Sequence, residues 1–322
     1  MQQWSASAAR TGVPNLVARL RGGDRVAYLV ASAAGVCVLV LTGLLAWQLV
    51  AHSALSRQTF GWAFLFTQTW DPVADQYGAA AFIYGTLVTS GIALLVAVPL
   101  GVGVSIFLSE LAPPKLSSGC GLLLELLAAV PSVIYGLVGI AVLVPLMRTW
   151  IQPALRTVTS GFPLFSGPAF GVGYLTAGLV LAVMITPYIV SVGREVLLAV
   201  PREQRDASLA LGSTRWESVW RVVVPHARPG LLGAIFLALG RALGETMAVT
   251  MVIGNRPEIA ASLFAPGYSM AAVIANEFPE AGGGVYLSAL VEVGLVLFGL
   301  TMAINAVARL LIVVSTRQGS PA

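Results

Sequence analysis

The chain reads as an all-α polytopic membrane protein with six transmembrane helices. Three observations predict this. Of its 322 residues, 57% are hydrophobic and only 10% charged, and the mean hydropathy is +0.87, too apolar for a soluble domain of this length. Apolar runs of at least about 20 residues, the length that crosses a bilayer, recur near 27–51, 82–109, 119–147, 172–194, 229–254 and 285–314. None of them alternates polar with apolar residues, so each must satisfy its backbone hydrogen bonds internally, as a helix does and a barrel strand does not.

Taken in order, residues 1–26 form an N-terminal tail, and 27–51 form a span too long for a signal-peptide core and lacking a persuasive cleavage site after it. A loop over 52–81 separates this span from the other five and carries Phe60, Trp62, Phe64, Phe66 and Trp70, aromatics of the kind that line a membrane interface. The first span is therefore an appendage to a five-helix core over 82–314, and 315–322 are a short tail. Pro99, Pro131, Pro145 and Pro187 interrupt spans two to four and predict kinks. Glu125 in the third span, with Glu292 and Asn305 in the sixth, read either as polar glue between helices or as path-lining groups. Cys37 and Cys120 lack metal-like spacing and read as small hydrophobes.

Arginine and lysine set the orientation. Thirteen of the 18 fall on one side: Arg10, Arg19, Arg21, Arg25, Lys115, Arg194, Arg202, Arg205, Arg215, Arg221, Arg228, Arg309 and Arg317. Four, Arg57, Arg148, Arg156 and Arg256, fall on the other. The first side is cytoplasmic, so both termini are inside. The pI near 9.3 is then a topology signal and calls for membrane lipid, not nucleic acid, as a partner.

Within the cytoplasmic loop 196–228, Pro201 starts a helix, Gly212 stops it, and Thr214 with Glu217 spells a capping box. Two short helices follow. The first sets Ala207, Ala210 and Leu211 on one side and Glu203, Arg205 and Asp206 elsewhere, a small smooth patch suited to a groove on another protein. The second stripes Trp216, Val219, Trp220 and Val223 at helical spacing, a face suited to a membrane interface.

The eighteenth positive charge, Arg241, belongs to neither side. It lies inside the fifth span four residues before Glu245, a spacing that puts both on one helical face. An arginine at mid-membrane costs about 3 kcal/mol or more, so either an ion pair or a passing anion must offset it. A guanidinium grips two oxyanion oxygens, while a carboxylate accepts a hydrogen bond only from an oxyanion that still carries a proton. Arg241 with Glu245 therefore favours hydrogen phosphate over sulfate, and Thr246 and Glu292 are further candidates for the substrate path.

The pattern Asp206-Ala207-Ser208-x3-Gly212-x9-Val222-x-Val224-Pro225 resembles the Glu-Ala-Ala loop of ABC-importer permeases. Asp206, Ser208 and Val224 replace the usual Glu, Ala and Leu. The run Gly240-Arg241-Ala242-Leu243-Gly244-Glu245-Thr246-Met247-Ala248-Val249, with Asn276-Glu277-Phe278 later, is similar to the PstC-type permeases of phosphate importers. The resemblance covers residues 80–314. It implies a five-helix type I importer core plus an N-terminal helix, in which Glu203, Asp206, Ala207, Ser208, Leu211, Gly212, Val222, Val224 and Pro225 form the ATPase-coupling element. It also implies a PstA-type sister permease, a PstB-type ATPase dimer holding ATP and Mg, and an external PstS-type phosphate-binding protein, in a bacterial plasma membrane. This chain contains no Gly-x4-Gly-Lys-Ser/Thr loop, so no cofactor is expected on it and hydrolysis is supplied in trans. A secondary transporter driven by ions through Glu125, Glu245 and Glu292 would have no reason to carry the loop helices. A membrane-embedded enzyme would need a nucleophile with a base or a metal cluster, and His52 and His226 stand alone.

Overall fold

The computed structural model describes residues 13–159 and 162–318. Arg10 and the ends of both tails lie outside them, and the side chains of 13–25 and 314–318 are likewise not described. In order, the helices are α1 Val13–His52, α2 Ala54–Phe60, α3 Ala80–Ile106, α4 Pro114–Ala128, α5 Ser132–Val138, α6 Val144–Leu146, α7 Gln152–Val158, α8 Tyr174–Leu198, α9 Arg202–Ala210, α10 Arg215–Ser218, α11 Val224–Leu243, α12 Met247–Ile253, α13 Met270–Glu277 and α14 Gly284–Gln318. Two short strands, β1 Trp70–Asp71 and β2 Gln76–Tyr77, pair antiparallel.

Two units result, residues 1–51 and 52–322. The described part of the first is α1 up to Ala51, a single continuous helix whose residues from Val26 onward are apolar enough to span a membrane.

Among the described residues, six helices are long and apolar enough to span: Val26–His52, Ala80–Leu111, Ser132–Val158, Tyr174–Leu198, Arg215–Leu243 and Gly284–Val313. The number matches the expectation, but two spans are displaced. The third expected span, 119–147, is cut at Pro131, where α4 ends at Ala128 and a new helix starts at Ser132. Proline has no N–H, and its ring pushes the preceding residue out of helical conformation, so the expected kink is a full break. Glu125 consequently sits exposed on α4, outside the spans. The fifth span begins at Arg215 and ends at Leu243 instead of running from 229 to 254. The second loop helix is thus no short separate element; it is the first turn of a 29-residue span.

Prolines also explain the four π-turns among the described residues: Phe107–Leu111, Gly139–Leu143, Met147–Ile151 and Val219–Val223. Each contains the residue four before a proline, namely Ser109, Ala141, Thr149 and Arg221 ahead of Pro113, Pro145, Pro153 and Pro225. That carbonyl is the one a proline ring strikes, and a widened turn moves it aside. Pro99 and Pro187 stay inside continuous helices.

In the second unit, α3 and α8 cross in close contact because small residues let their backbones approach. A Cβ on Gly178 would stand 2.6 Å from Ile92, and one on Gly101 would stand 2.7 Å from Ile189. Ala93, Ala97, Leu181, Ile185 and Ile189 fill this core together with Ala238 and Ala242 of α11 and Val249 and Val252 of α12. A second core holds Phe64, Tyr77, Phe82, Tyr268 and Met270 against α14. Here the loop aromatics depart from expectation. Phe60, Phe64 and Trp70 pack into this core, with Trp70 4.9 Å from Phe82 and 5.0 Å from Tyr77 between ring centroids, edge to face. Only Trp62 and Phe66 of the five are strongly exposed, at 83% and 81%. The Glu277 carboxylate ties the cluster by accepting from Trp70 Nε1 at 2.7 Å and from the Tyr286 hydroxyl at 3.0 Å. Burial, with Asp75 second, pushes the Tyr77 hydroxyl up to about 12, so it stays a neutral donor.

Candidate functional site

The polar loop folds as the local signals dictate. Pro201 is the N-cap of α9, in extended conformation, and α9 runs nine residues. At its end Gly212 adopts φ +87°, its N–H donating to Leu209 O at 2.9 Å while Ser213 N–H donates to Ser208 O at 3.3 Å. This paired closure satisfies the last free carbonyls and requires a left-handed residue. The next helix opens with the capping box: Glu217 N–H donates to Thr214 Oγ1 at 3.3 Å and Thr214 N–H to Glu217 Oε2 at 2.9 Å.

Glu203, Asp206, Ala207, Ala210 and Leu211 are exposed, Leu211 at 89%. A bare apolar patch on a charged, nine-residue helix is unstable as solvent surface and fits a groove on another protein. Ser208 is buried, Val222 and Val224 half-buried and Pro225 exposed, so the expected coupling residues divide between an outward face and an inward one. The stripe on the following helix divides as well. Val219 and Val223 are buried against Leu197, Val200 and Ile106, whereas Trp216 and Trp220 stand outside, 5.6 Å apart and edge to face.

Missed from sequence is the anchor of this loop. Arg205 of α9 donates from Nε to Glu110 Oε2 at 3.1 Å and from Nη2 to Glu110 Oε1 at 2.8 Å. It also donates to the carbonyls of Val200 at 2.6 Å and Leu197 at 2.7 Å. The partners are 95 residues apart, and no local signal links them.

At the far end of α11 the structure alters the charge reading. The helix stops at Leu243, Gly244 and Glu245 form a turn, and α12 begins at Met247. Arg241 and Glu245 therefore do not share a helical face, because the continuous helix that a four-residue spacing presumes is broken at the glycine. Glu245 instead accepts from Ala248 N–H at 3.3 Å, on the first turn of α12, where a carboxylate is favoured by the helix dipole. Thr246 donates to the Gly244 carbonyl at 3.3 Å. Arg241 is exposed and makes no hydrogen bond or ion pair among the described residues. Tyr135 of α5 lies within its electrostatic reach. Five guanidinium donors without an acceptor, on a face this chain leaves open, are poised for an anion or for another subunit.

Glu292 lies elsewhere. It is 5% exposed on α14 and lines a hollow of ≈ 460 Å³ with Arg57, Trp62 and Leu65. The structure thus joins Arg241, Glu245 and Thr246 at one helix break and sets Glu292 against α2 and the helical turn after it, at Arg57, Trp62 and Leu65. Other hollows, of ≈ 590 and ≈ 640 Å³, are lined by different residues again.

Six apolar helices, a projecting polar helix and a guanidinium at a helix break define a multi-pass membrane permease subunit. Residues 97–315 match the family of binding-protein-dependent transport system inner membrane components. The chain is 45% identical to the phosphate transport system permease protein PstC of Mesorhizobium japonicum over 99% of both chains. It is 50% identical to the PstC of Haemophilus influenzae over 85% of this chain and 88% of the relative, and 46% identical to that of Xylella fastidiosa over 88% and 91%. It belongs to that inner membrane component family, among the PstC permeases. In three dimensions it is similar to a chain of a bacterial alginate ABC transporter, with TM-score 0.57 and 14% identity over 89% of this chain and 94% of that one. A chain of the MetNI methionine ABC transporter in an inward-facing form gives TM-score 0.53 and 18% identity over 77% and 99%. At such identities these two bear on the fold alone.

Proposed function

We propose that the chain is the permease subunit of an ATP-driven inorganic phosphate importer, forming half of the translocation path. The observation that carries this reading is an exposed Arg241 with no hydrogen-bond or ion-pair partner among the described residues, at a break in a membrane helix, in a chain 45% identical over 99% of its length to a phosphate permease. The other half of the path is a PstA-type permease. A PstB-type ATPase pair binds ATP and Mg and grips α9 through the exposed Ala207, Ala210 and Leu211 face. A PstS-type binding protein delivers phosphate from outside. With the arginine-rich side cytoplasmic, both termini are inside.

In this mechanism ATP closes the ATPase pair, α9 moves with it, and the attached helices shift around the path. Phosphate then passes Arg241, whose planar donors match two of its oxygens. Hydrolysis then reopens the pair, the helices shift back, and the phosphate leaves inward. Arg241→Gln tests the reading in vesicles containing the whole complex: uptake of labelled phosphate is lost while the complex still assembles. Normal uptake by that variant would make the charge structural and overturn the assignment.

A further inference from the structure

We infer that the Arg205–Glu110 ion pair is the rigid joint through which α9 drives the transmembrane helices, and that it stays closed throughout the transport cycle. This rests on the coupling role proposed above for α9.

The geometry isolates this joint. Most of α9 faces outward, and of its nine residues only Ser208 is buried. Arg205 is half-buried, with side-chain exposures of 18% for it and 10% for Glu110. Its guanidinium spends both edges at once. One edge makes the paired contact with Glu110, at the end of the α3 span, and the other reaches the carbonyls of Leu197 and Val200. Those carbonyls belong to the last turn of α8 and the residues just beyond it, where helical N–H donors run out; Leu197 O also accepts from the Val200 N–H, at 3.2 Å, and a cation there also suits the helix dipole. One side chain thus joins three elements. Lysine could supply the charge but not a planar set of donors in two directions.

What lies beyond the joint explains its reach. The spans joined at their ends, α3 and α8, are locked by the Gly178–Ile92 and Gly101–Ile189 contacts. Ala238 and Ala242 of α11 pack into the same core, one residue from Arg241. A displacement of α9 delivered at Arg205 therefore moves α3 and α8 as a pair and carries the helix bearing Arg241 with them. Without the joint, α9 could follow the ATPase, drawing only on the fifth span that begins at Arg215, while α3 and α8 stayed behind.

The test uses the full complex with its partner permease, ATPase and binding protein in vesicles, measuring ATP hydrolysed and phosphate taken up. Arg205→Gln and Glu110→Gln are expected to leave assembly and ATP turnover within about twofold of the parent while uptake falls about tenfold, the loosening expected from losing a charge-assisted pair. Arg205→Lys should fall between. A merely structural role would lower hydrolysis and uptake together. The second arm replaces Cys37 and Cys120, places cysteines by Arg205→Cys and Glu110→Cys, and bridges them with a short bifunctional maleimide, since two such long side chains span more than a disulfide can. The bridged complex should regain phosphate per ATP relative to the unbridged one. Arrest on bridging would show that the pair must open and would overturn the inference, as would unchanged coupling in Arg205→Gln. If that variant does not assemble, the bridged arm decides alone. A parent complex that hydrolyses ATP without importing phosphate would instead refute the proposed function.

Discussion

Gly212 offers a test in which conformation and volume can be separated. Its φ of +87° lies in the left-handed region, and a Cβ placed there would meet nothing within 4 Å. Within this chain, the cost of any other residue is therefore torsional only. Alanine should cost about 1 kcal/mol, and valine, whose branched side chain is an outlier at positive φ, about 2–3 kcal/mol. Asparagine tolerates this region and should cost a few tenths. A nine-residue helix has little stability of its own, so the penalty falls on the closing bonds from Gly212 and Ser213 and frays the end that presents Leu211. Each 1.4 kcal/mol lowers the population of the closed turn about tenfold. Phosphate imported per ATP in reconstituted vesicles should therefore rank Gly212 and Gly212→Asn together, then Gly212→Ala, then Gly212→Val. If Gly212→Asn uncouples as severely as Gly212→Val in an assembled complex, the torsional argument is wrong and side-chain bulk against the ATPase is the cause.

Two further outcomes are expected. Glu245→Gln keeps an acceptor for Ala248 N–H but removes the negative charge that repels a fully deprotonated oxyanion, so sulfate uptake relative to phosphate should rise about tenfold; an unchanged ratio would remove Glu245 from selectivity. Gly178→Val drives a Cβ to within 2.6 Å of both Cβ and Cγ2 of Ile92 and should cost about 1–3 kcal/mol through overpacking, seen as a lower melting temperature in detergent and restored in part by adding Ile92→Gly, which removes both atoms. Equal melting of Gly178→Val and parent would show that the α3–α8 approach is not tight.

How far the sequence carried depended on the range of each interaction. The α9 stop at Gly212 and the Thr214–Glu217 box were legible because a cap is decided by residues within a turn of each other. The same locality misplaced two spans: hydropathy averages over a window, and Leu122 to Val130 is as apolar as a true span although Pro131 ends its helix. Arg241 was found as a charge in an apolar run, but its relation to Glu245 was misjudged, because one glycine turn rotates everything after it. The loop aromatics were assigned to the interface since composition does not distinguish a ring facing lipid from one buried on Tyr77 and Phe82.

Taken alone, the amino-acid order determined that the protein lies in a membrane, crosses it six times, and presents a capped polar helix at one end, because burial of apolar runs and helix capping are one-dimensional effects. Tertiary structure decided which charges meet. Arg205 reaches Glu110, 95 residues away, only because α3 and α8 pack closely enough to bring their ends together. Arg241 does not meet Glu245 because α11 ends two residues after it, at Leu243. Side-chain pairing falls off within a few ångströms, and that distance is set by the packing of helices, which no stretch of sequence contains by itself.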